Sequence, residues 1–269
     1  MRKTYQELEF KDAFLFAAVM SDPESCKGVL ERILGMPIKK VTVHAEHVLF
    51  VHADKRGVRL DVYADDEHGT VYNVEMQTTD NKNLPKRSRY YQGQMDAAFL
   101  KRGQDFLKLP QSIIIFICTF DPFGRERYRY TFMETCREDG ELLQDGTCKI
   151  FLNTKGKNEA GVPKELIHFL NWIDEPYGVT ERERSDVLIT KLQTQIANLK
   201  QNQGMEEKYM LFGEMLDEER RQGQEQGKVD VLLKLLQEHK IDVKTAASMM
   251  GMNEAEFVKA IKNKSKAEV

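Results

Sequence analysis

Two acidic residues and one amide in the segment RLDVYADDEHGTVYNVEMQ have the types and spacing of a metal-binding site. Asp61 lies among alternating apolar residues in the first half of the segment, and Glu75 and Gln77 alternate with apolar residues in the second half. If the two halves pair as a hairpin, Asp61 lies opposite or diagonal to Glu75 and Gln77 on one sheet face. Two carboxylates there repel each other unless a cation joins them. Oxygen ligands suit Mg²⁺, which can polarise a phosphodiester and activate a water molecule, so the spacing indicates hydrolytic metal chemistry.

The same spacing has a second interpretation. Alternating polar residues are ordinary on the solvated outer face of an antiparallel sheet, where carboxylates need no metal. Spacing alone leaves both interpretations open.

The elements around this segment follow the order helix, three-strand meander, helix, buried strand. Gly and Asp in DDEHGT predict the turn that joins the second and third strands. The run SIIIFICTF is apolar on both faces, as expected of a central strand. The predicted elements are helices at about 10–20, 23–34 and 85–106, strands VTVHAEHVLF, VRLDVYA, VYNVEMQ and SIIIFICTF, and two further strands at about 128–133 and 149–153.

The chain beyond Gly161 is predicted to be helical. Apolar residues recur there at helical spacing, and the segment GEMLDEERRQGQEQGK is polar enough to be a solvated helix or a linker. TAASMMGMNEAEFVKAI predicts two short helices separated at Gly251, similar to a helix-turn-helix but without a run of basic residues. We therefore expect an α/β core at 1–155, a helical extension and polar linker at 156–228, and a small helical module at 229–269.

From Phe10 to about Asn153 the chain resembles the recombination-promoting nuclease/transposase family, a branch of the PD-(D/E)XK nuclease superfamily. The resemblance rests on FKDAFLFAAVM, VRLDVYADDEHGTVYNVEMQ, RSRYYQGQMDAAFLKRGQDF and SIIIFICTFDPFG, in this order and spacing. It implies a restriction-endonuclease-like α-β-β-β-α-β core with a mixed central sheet. This is the order that the periodicity predicts independently.

The resemblance also implies roles for individual residues. Asp61 and Glu75 match the two acids of the motif, and Asp12 matches an acidic position that often supports the metal site, so these three are the expected metal ligands. Gln77, the third expected catalytic residue, stands where the superfamily usually has lysine. An amide can orient a water molecule but brings no positive charge.

Basic residues close to the motif are candidates for the missing charge and for DNA contacts. Lys82 and Lys86 are two nearby cations that the sequence offers in place of the motif lysine. We expect a phosphate-contacting patch at the start of the third helix, and the alternative is an amphipathic helix with Tyr91 in the core and solvated charges outside. The expected DNA-binding residues are Lys86, Arg87, Arg89 and Tyr90.

Composition limits the function classes. The chain has 269 residues, of which 41% are hydrophobic, and a formal net charge of −3, so DNA binding has to rest on a local basic patch. The four cysteines show no zinc-type spacing. The sequence has no Gly-rich phosphate loop, so we expect no nucleotide or other small-molecule cofactor. The N-terminus has no signal-peptide pattern and no apolar run could span a bilayer, so a cytoplasmic protein without membrane contact is expected.

The sequence and the resemblance together predict a metal-dependent endonuclease that hydrolyses phosphodiester bonds of double-stranded DNA. Mg²⁺ or another divalent cation is the expected cofactor, and a link to recombination or mobile elements is implied by the resemblance. Two rival functions remain. One is a DNA-binding or transposition accessory protein of low or no activity, and the other is an oligomerising scaffold that acts through its helical tail. The sequence leaves homo-oligomer formation open.

Overall fold

The computed structural model describes residues 2–44, 48–49, 58–59, 61–178 and 185–267. The chain forms two compact units, Met1–Met205 and Glu206–Val269. Each unit is described by itself below.

Two helices precede the sheet in the first unit. A short 3₁₀ helix, Tyr5–Glu7, leads to α1, Ala13–Met20, and α2 follows at Pro23–Leu34. The side chain of Asp22 accepts the backbone N–H of Ser25 at 2.8 Å and so caps α2. Gly35 ends the helix with a φ of 73°, a conformation that glycine adopts without steric cost. These local signals explain why the bounds of α2 agree with the sequence prediction.

Six strands form one mixed sheet. Their order across it is β1-β4-β5-β6-β8-β7, and the short strands β2 and β3 form a separate antiparallel pair. The strands are β1 Val41–His44, β2 Val48–Leu49, β3 Val58–Arg59, β4 Val62–Asp66, β5 Val71–Gln77, β6 Ser112–Cys118, β7 Arg129–Phe132 and β8 Thr147–Asn153.

The pairing directions give the meander and the crossover that the sequence predicts. β1, β4 and β5 are antiparallel neighbours, whereas β5 and β6 run parallel and are connected through α3, Leu84–Phe99. β6 is also parallel to β8, so it lies in the sheet interior, and Ile114 to Cys118 are all fully buried. The predicted fold class, an α-β-β-β-α-β core with a mixed sheet and a helical C-terminal region, is confirmed.

Three predicted elements end or divide elsewhere. The third helix was expected to reach residue 106, but α3 ends at Phe99 and a turn with Gly103 at a φ of 83° follows. Phe106 and Leu107 then lie in a separate 3₁₀ turn and are 77% and 92% exposed. The expected single strands VTVHAEHVLF and VRLDVYA are each divided between the large sheet and the β2–β3 pair, and residues 45–47, 50 and 60 lie outside the described residues.

Aromatic packing and polar ties join the outer helices of the first unit. α4, Lys164–Asp174, contributes Trp172, whose ring centroid lies 5.1 Å from that of Phe10. The last helix of this unit, α5 at Val187–Lys200, is tied to the N-terminus by the Tyr5 hydroxyl, which donates to the Leu199 carbonyl at 2.8 Å. The two helices α4 and α5, which lie beyond residue 155, therefore belong to the same compact unit as the sheet.

The second unit contains most of a long helix and two short helices. The helices are α6 Gln203–Gln237, α7 Val243–Met249 and α8 Glu254–Ala267. Leu232, Ala246, Ala247 and Phe257 form its buried core. Gly251 lies between α7 and α8 with a φ of 67°, so the predicted break at Gly251 is confirmed. Among the described residues, no helix has the length and apolar character needed to cross a membrane.

Candidate active site

The β4–β5 hairpin brings Asp61 and Glu75 together. Asp61 directly precedes β4, and the register pairs its neighbour Val62 with Val74. The backbone N–H of Asp61 donates to Oε1 of Glu75 at 3.2 Å, and the backbone N–H of Met76 donates to Oδ2 of Asp61 at 3.1 Å. Each carboxylate is thus held by the backbone of the opposite segment, which fixes the two acidic side chains beside each other.

Glu75 lies in the interior of the protein. β5 is flanked by β4 on one side and β6 on the other, and the exposed fraction of Glu75 is 0%. The interpretation of this face as a solvated outer surface is therefore wrong at Glu75. Burial raises the pKa of Glu75 above its ordinary value, the neighbouring charge of Asp61 raises it further, and Arg87 opposes both effects.

The guanidinium of Arg87 connects three side chains of the site. Its Nη2 donates to Oε2 of Glu75 and its Nη1 donates to Oε1 of Gln77, both at 2.8 Å. Its Nε donates to the Tyr91 hydroxyl at 2.6 Å. The guanidinium carbon also lies over the rings of Tyr91 and Phe116, 5.0 and 5.6 Å from their centroids. Arg87 is thereby fixed between α3 and the sheet.

The contacts of Gln77 determine how its amide is oriented. Arg87 can only donate hydrogen bonds, so the amide oxygen of Gln77 must face it. The amide nitrogen then donates to the backbone carbonyl of Met76 at 2.9 Å. Gln77 is therefore an ordered part of the site, with its oxygen directed to a positive charge.

Comparison with known families supports the interpretation of this geometry. The model of the PD-(D/E)XK nuclease family transposases matches residues 13–210. The chain belongs to this family. No curated protein and no solved structure gives a significant match to the chain.

In this PD-(D/E)XK protein the residues of the first two turns of α3 are divided between the site and the surface. Lys86, Arg89 and Tyr90 are exposed, whereas Arg87 is turned toward the carboxylates. Tyr91 is only 8% exposed, which confirms its expected place in the core. Sequence reasoning assigned Arg87 to the DNA-binding patch and missed its contact with Glu75. The available signal was the i,i+4 spacing of Arg87 and Tyr91, which places both on the buried face of α3.

Asp12 belongs to a different group of residues in the structure. Its Oδ2 accepts the Lys3 ammonium at 2.8 Å and the backbone N–H of Glu9 at 2.7 Å. Within the described parts of the chain, no cluster of three or more His, Cys, Asp or Glu side chains could hold a metal ion. Asp61 and Glu75 are thus brought together without Asp12. Lys82, one of the two candidate cations, forms an ion pair with Asp80.

The carboxylate pair has the donor chemistry of a Mg²⁺ site. Asp61 and Glu75 supply hard oxygen ligands from adjacent segments, and Mg²⁺ usually takes one or two protein carboxylates and completes its shell with water and phosphate. Burial and, after it, the charge of Asp61 raise the pKa of Glu75, and a divalent cation would relieve the repulsion between the two carboxylates. The residues present therefore fit the divalent metal ions that PD-(D/E)XK nucleases generally use.

Proposed function

We propose that the chain is a divalent-metal-dependent DNA endonuclease that hydrolyses phosphodiester bonds in double-stranded DNA, with Mg²⁺ as the metal, in recombination or mobile-element biology. The supporting observation is the pair of carboxylates at the β4–β5 hairpin, each fixed by the backbone of the other segment. Membership of the PD-(D/E)XK nuclease family transposases supports a nuclease or transposase-related function for this site.

Each site residue has a role in this proposal. Asp61 and Glu75 would hold the metal through their carboxylate oxygens, and Gln77 would help to position the attacking water. A divalent cation bound there supplies a Lewis acid for the phosphodiester and lowers the pKa of a coordinated water. The backbone bonds to Asp61 and Glu75 keep both side chains in place, so little reorganisation is needed when substrate arrives. The supporting role expected for Asp12 stays a prediction.

The DNA backbone would lie along the exposed side of the first turns of α3. Lys86 and Arg89 are exposed there beside Arg87, and Tyr90 is 38% exposed. Lysine and arginine side chains neutralise phosphates, and this local attraction does not require a basic protein overall. The patch would therefore hold the duplex next to Asp61 and Glu75.

Cleavage of plasmid DNA tests the proposal. We expect the full-length protein to nick or cut plasmid with Mg²⁺ and to stop when the ion is chelated. Asp61→Asn should reduce the rate by at least about 100-fold, because the loss of a ligand charge weakens the metal site. Asp65→Asn is the matched control, since Asp65 is a carboxylate on β4 that pairs with His44. Equal rates for Asp61→Asn and Asp65→Asn would reject the assigned site.

Two observations favour a second function, a DNA-binding accessory protein without cleavage. The usual lysine of the motif is replaced by Gln77, and both oxygens of Glu75 already accept hydrogen bonds from the protein. The plasmid assay, combined with a gel-shift measurement of DNA binding, separates the two functions. An accessory protein would retain DNA binding in a gel-shift measurement and would leave the plasmid intact at every Mg²⁺ concentration.

A further inference from the structure

The replacement of the motif lysine by Gln77 raises the question of which residue brings positive charge to the site. Lys82 is engaged with Asp80. Arg87 is the one cationic side chain with an ion pair to Glu75 among the described residues. The charge next to the carboxylates therefore comes from α3, ten residues after Gln77 in the sequence.

We infer that Arg87 is the counter-ion and positioning residue of this site. Its single guanidinium fixes the positions of the Glu75 and Gln77 side chains and supplies the positive charge that lysine brings elsewhere in the superfamily. This inference rests on the proposed function for its catalytic part. Its structural part, the coupling of Arg87 to Glu75, can be measured without any metal or DNA.

The geometry of the guanidinium is well suited to this role. Glu75 and Gln77 are two residues apart on β5, so their side chains project to the same face. The two terminal nitrogens of Arg87 each donate to one of them at 2.8 Å. A lysine ammonium has no planar fork and would not hold both acceptors in one fixed geometry. The contacts therefore require arginine rather than any cation.

Arg87 is itself held in place by its surroundings. The third guanidinium nitrogen, Nε, donates to the Tyr91 hydroxyl at 2.6 Å, and the side chain is 27% exposed. Tyr91 and Phe116 are both buried, so the platform under the guanidinium belongs to the core. A side chain fixed at all three nitrogens can orient Glu75 and Gln77 before substrate binds.

A double-mutant cycle on unfolding tests the structural part. Parent, Arg87→Gln, Glu75→Gln and the double variant are unfolded in urea with EDTA present. Arg87→Gln should increase the unfolding equilibrium constant in both backgrounds, and we expect this increase to be at least about tenfold larger with Glu75 than with Glu75→Gln. The reason is that breaking a buried ion pair leaves an uncompensated charge. The control Arg102→Gln alters an exposed arginine beyond the end of α3 and should show no such dependence. Equal effects of Arg87→Gln in both backgrounds would overturn the inferred ion pair.

Single-turnover cleavage at saturating Mg²⁺ tests the positioning role. Arg87→Gln should slow cleavage at least about 100-fold, and Arg87→Lys should recover only part of the loss, since charge returns without the fork. The unfolding cycle could show coupling while Arg87→Gln still cleaves within about threefold of the parent rate. That result would overturn the positioning role and leave Arg87 a structural residue. A full recovery by Arg87→Lys would overturn the requirement for a fork. A parent protein that binds DNA but never cleaves it would reject the proposed function and the positioning role, while the unfolding cycle would still decide the ion pair.

Discussion

At the scale of single residues, the site combines what the spacing predicts with what only tertiary packing can reveal. The contact of Asp61 with Glu75 follows from the hairpin, because residues opposite each other on paired strands must be neighbours. The burial of Glu75 does not follow from its own strand, since it depends on β6, which pairs with β5, and on α3, which packs against these strands. The direction of the Arg87 side chain depends on how α3 is rotated about its axis. The sequence alone could not tell which basic residue at the start of α3 faces the carboxylates and which are exposed.

Gln77 offers a sharp test at this scale. Gln77→Ala should lower the single-turnover cleavage rate about tenfold and leave DNA binding nearly unchanged, because the amide contacts Arg87 rather than exposed surface. Gln77→Lys places an ammonium beside Arg87 and two carboxylates, so it should compete with Mg²⁺ and raise the Mg²⁺ concentration needed for half-maximal rate.

The measurement for Gln77 is the cleavage rate as a function of Mg²⁺ concentration for parent, Gln77→Ala and Gln77→Lys. A lysine variant that cuts faster than the parent at low Mg²⁺ would show that the site lacks positive charge and that Arg87 does not supply it. Indistinguishable curves for all three proteins would show that Gln77 has no chemical role.

At the scale of elements, the strands and helices are predicted well where local signals are strong. The turn DDEHGT and the capped α2 are examples, since side-chain caps and glycine at positive φ act within a few residues. The end of α3 is predicted poorly, because Leu100 and Phe106 continue the apolar pattern although the backbone is already extended at Leu100 and turns at Gly103. The packing of α5 on α2 is not predicted, since its contacts join residues far apart in the sequence.

Asp186 makes that packing testable. Its carboxylate caps α5 through the backbone N–H groups of Leu188 and Ile189, and it accepts two hydrogen bonds from Arg32 of α2. We expect Asp186→Ala to lower the free energy of unfolding by about 2–4 kcal/mol, and Asp186→Asn, which keeps a capping oxygen, to lower it less. Asp22→Ala, which removes the cap of α2, is the control and should cost about 1 kcal/mol. Urea unfolding measures all three.

The pH dependence of unfolding gives a second measurement on Asp186. Burial favours the neutral acid, but the bonds from Arg32 and the helix N–H groups outweigh it and lower the pKa of Asp186 in the folded state. A lowered folded-state pKa means that the stabilisation is fully present above the ordinary aspartate pKa and is lost as the pH falls through the lowered value. The difference in stability between parent and Asp186→Asn should therefore shrink in acid. A difference that stays constant or grows as the pH falls would contradict this account.

At the scale of the whole molecule, the family match lies almost entirely within the first compact unit. The match spans residues 13–210, which includes the sheet, α4 and α5, and the second compact unit begins at Glu206. The domain boundaries expected near residues 155 and 228 stay predictions. Composition predicts a chain with room for a core and a further helical unit, but the apolar pattern could not show that α4 and α5 belong to the same compact unit as the sheet.

Locating the metal tests whether Asp61 and Glu75 together hold a divalent cation. Crystals of the full-length protein grown with Mn²⁺, an oxygen-seeking substitute for Mg²⁺, would be measured for anomalous scattering. We expect an anomalous peak within bonding distance of carboxylate oxygens of both Asp61 and Glu75, and its loss in crystals of Asp61→Asn. A map in which Mn²⁺ is bound elsewhere, or in which no peak contacts both carboxylates, would contradict the account.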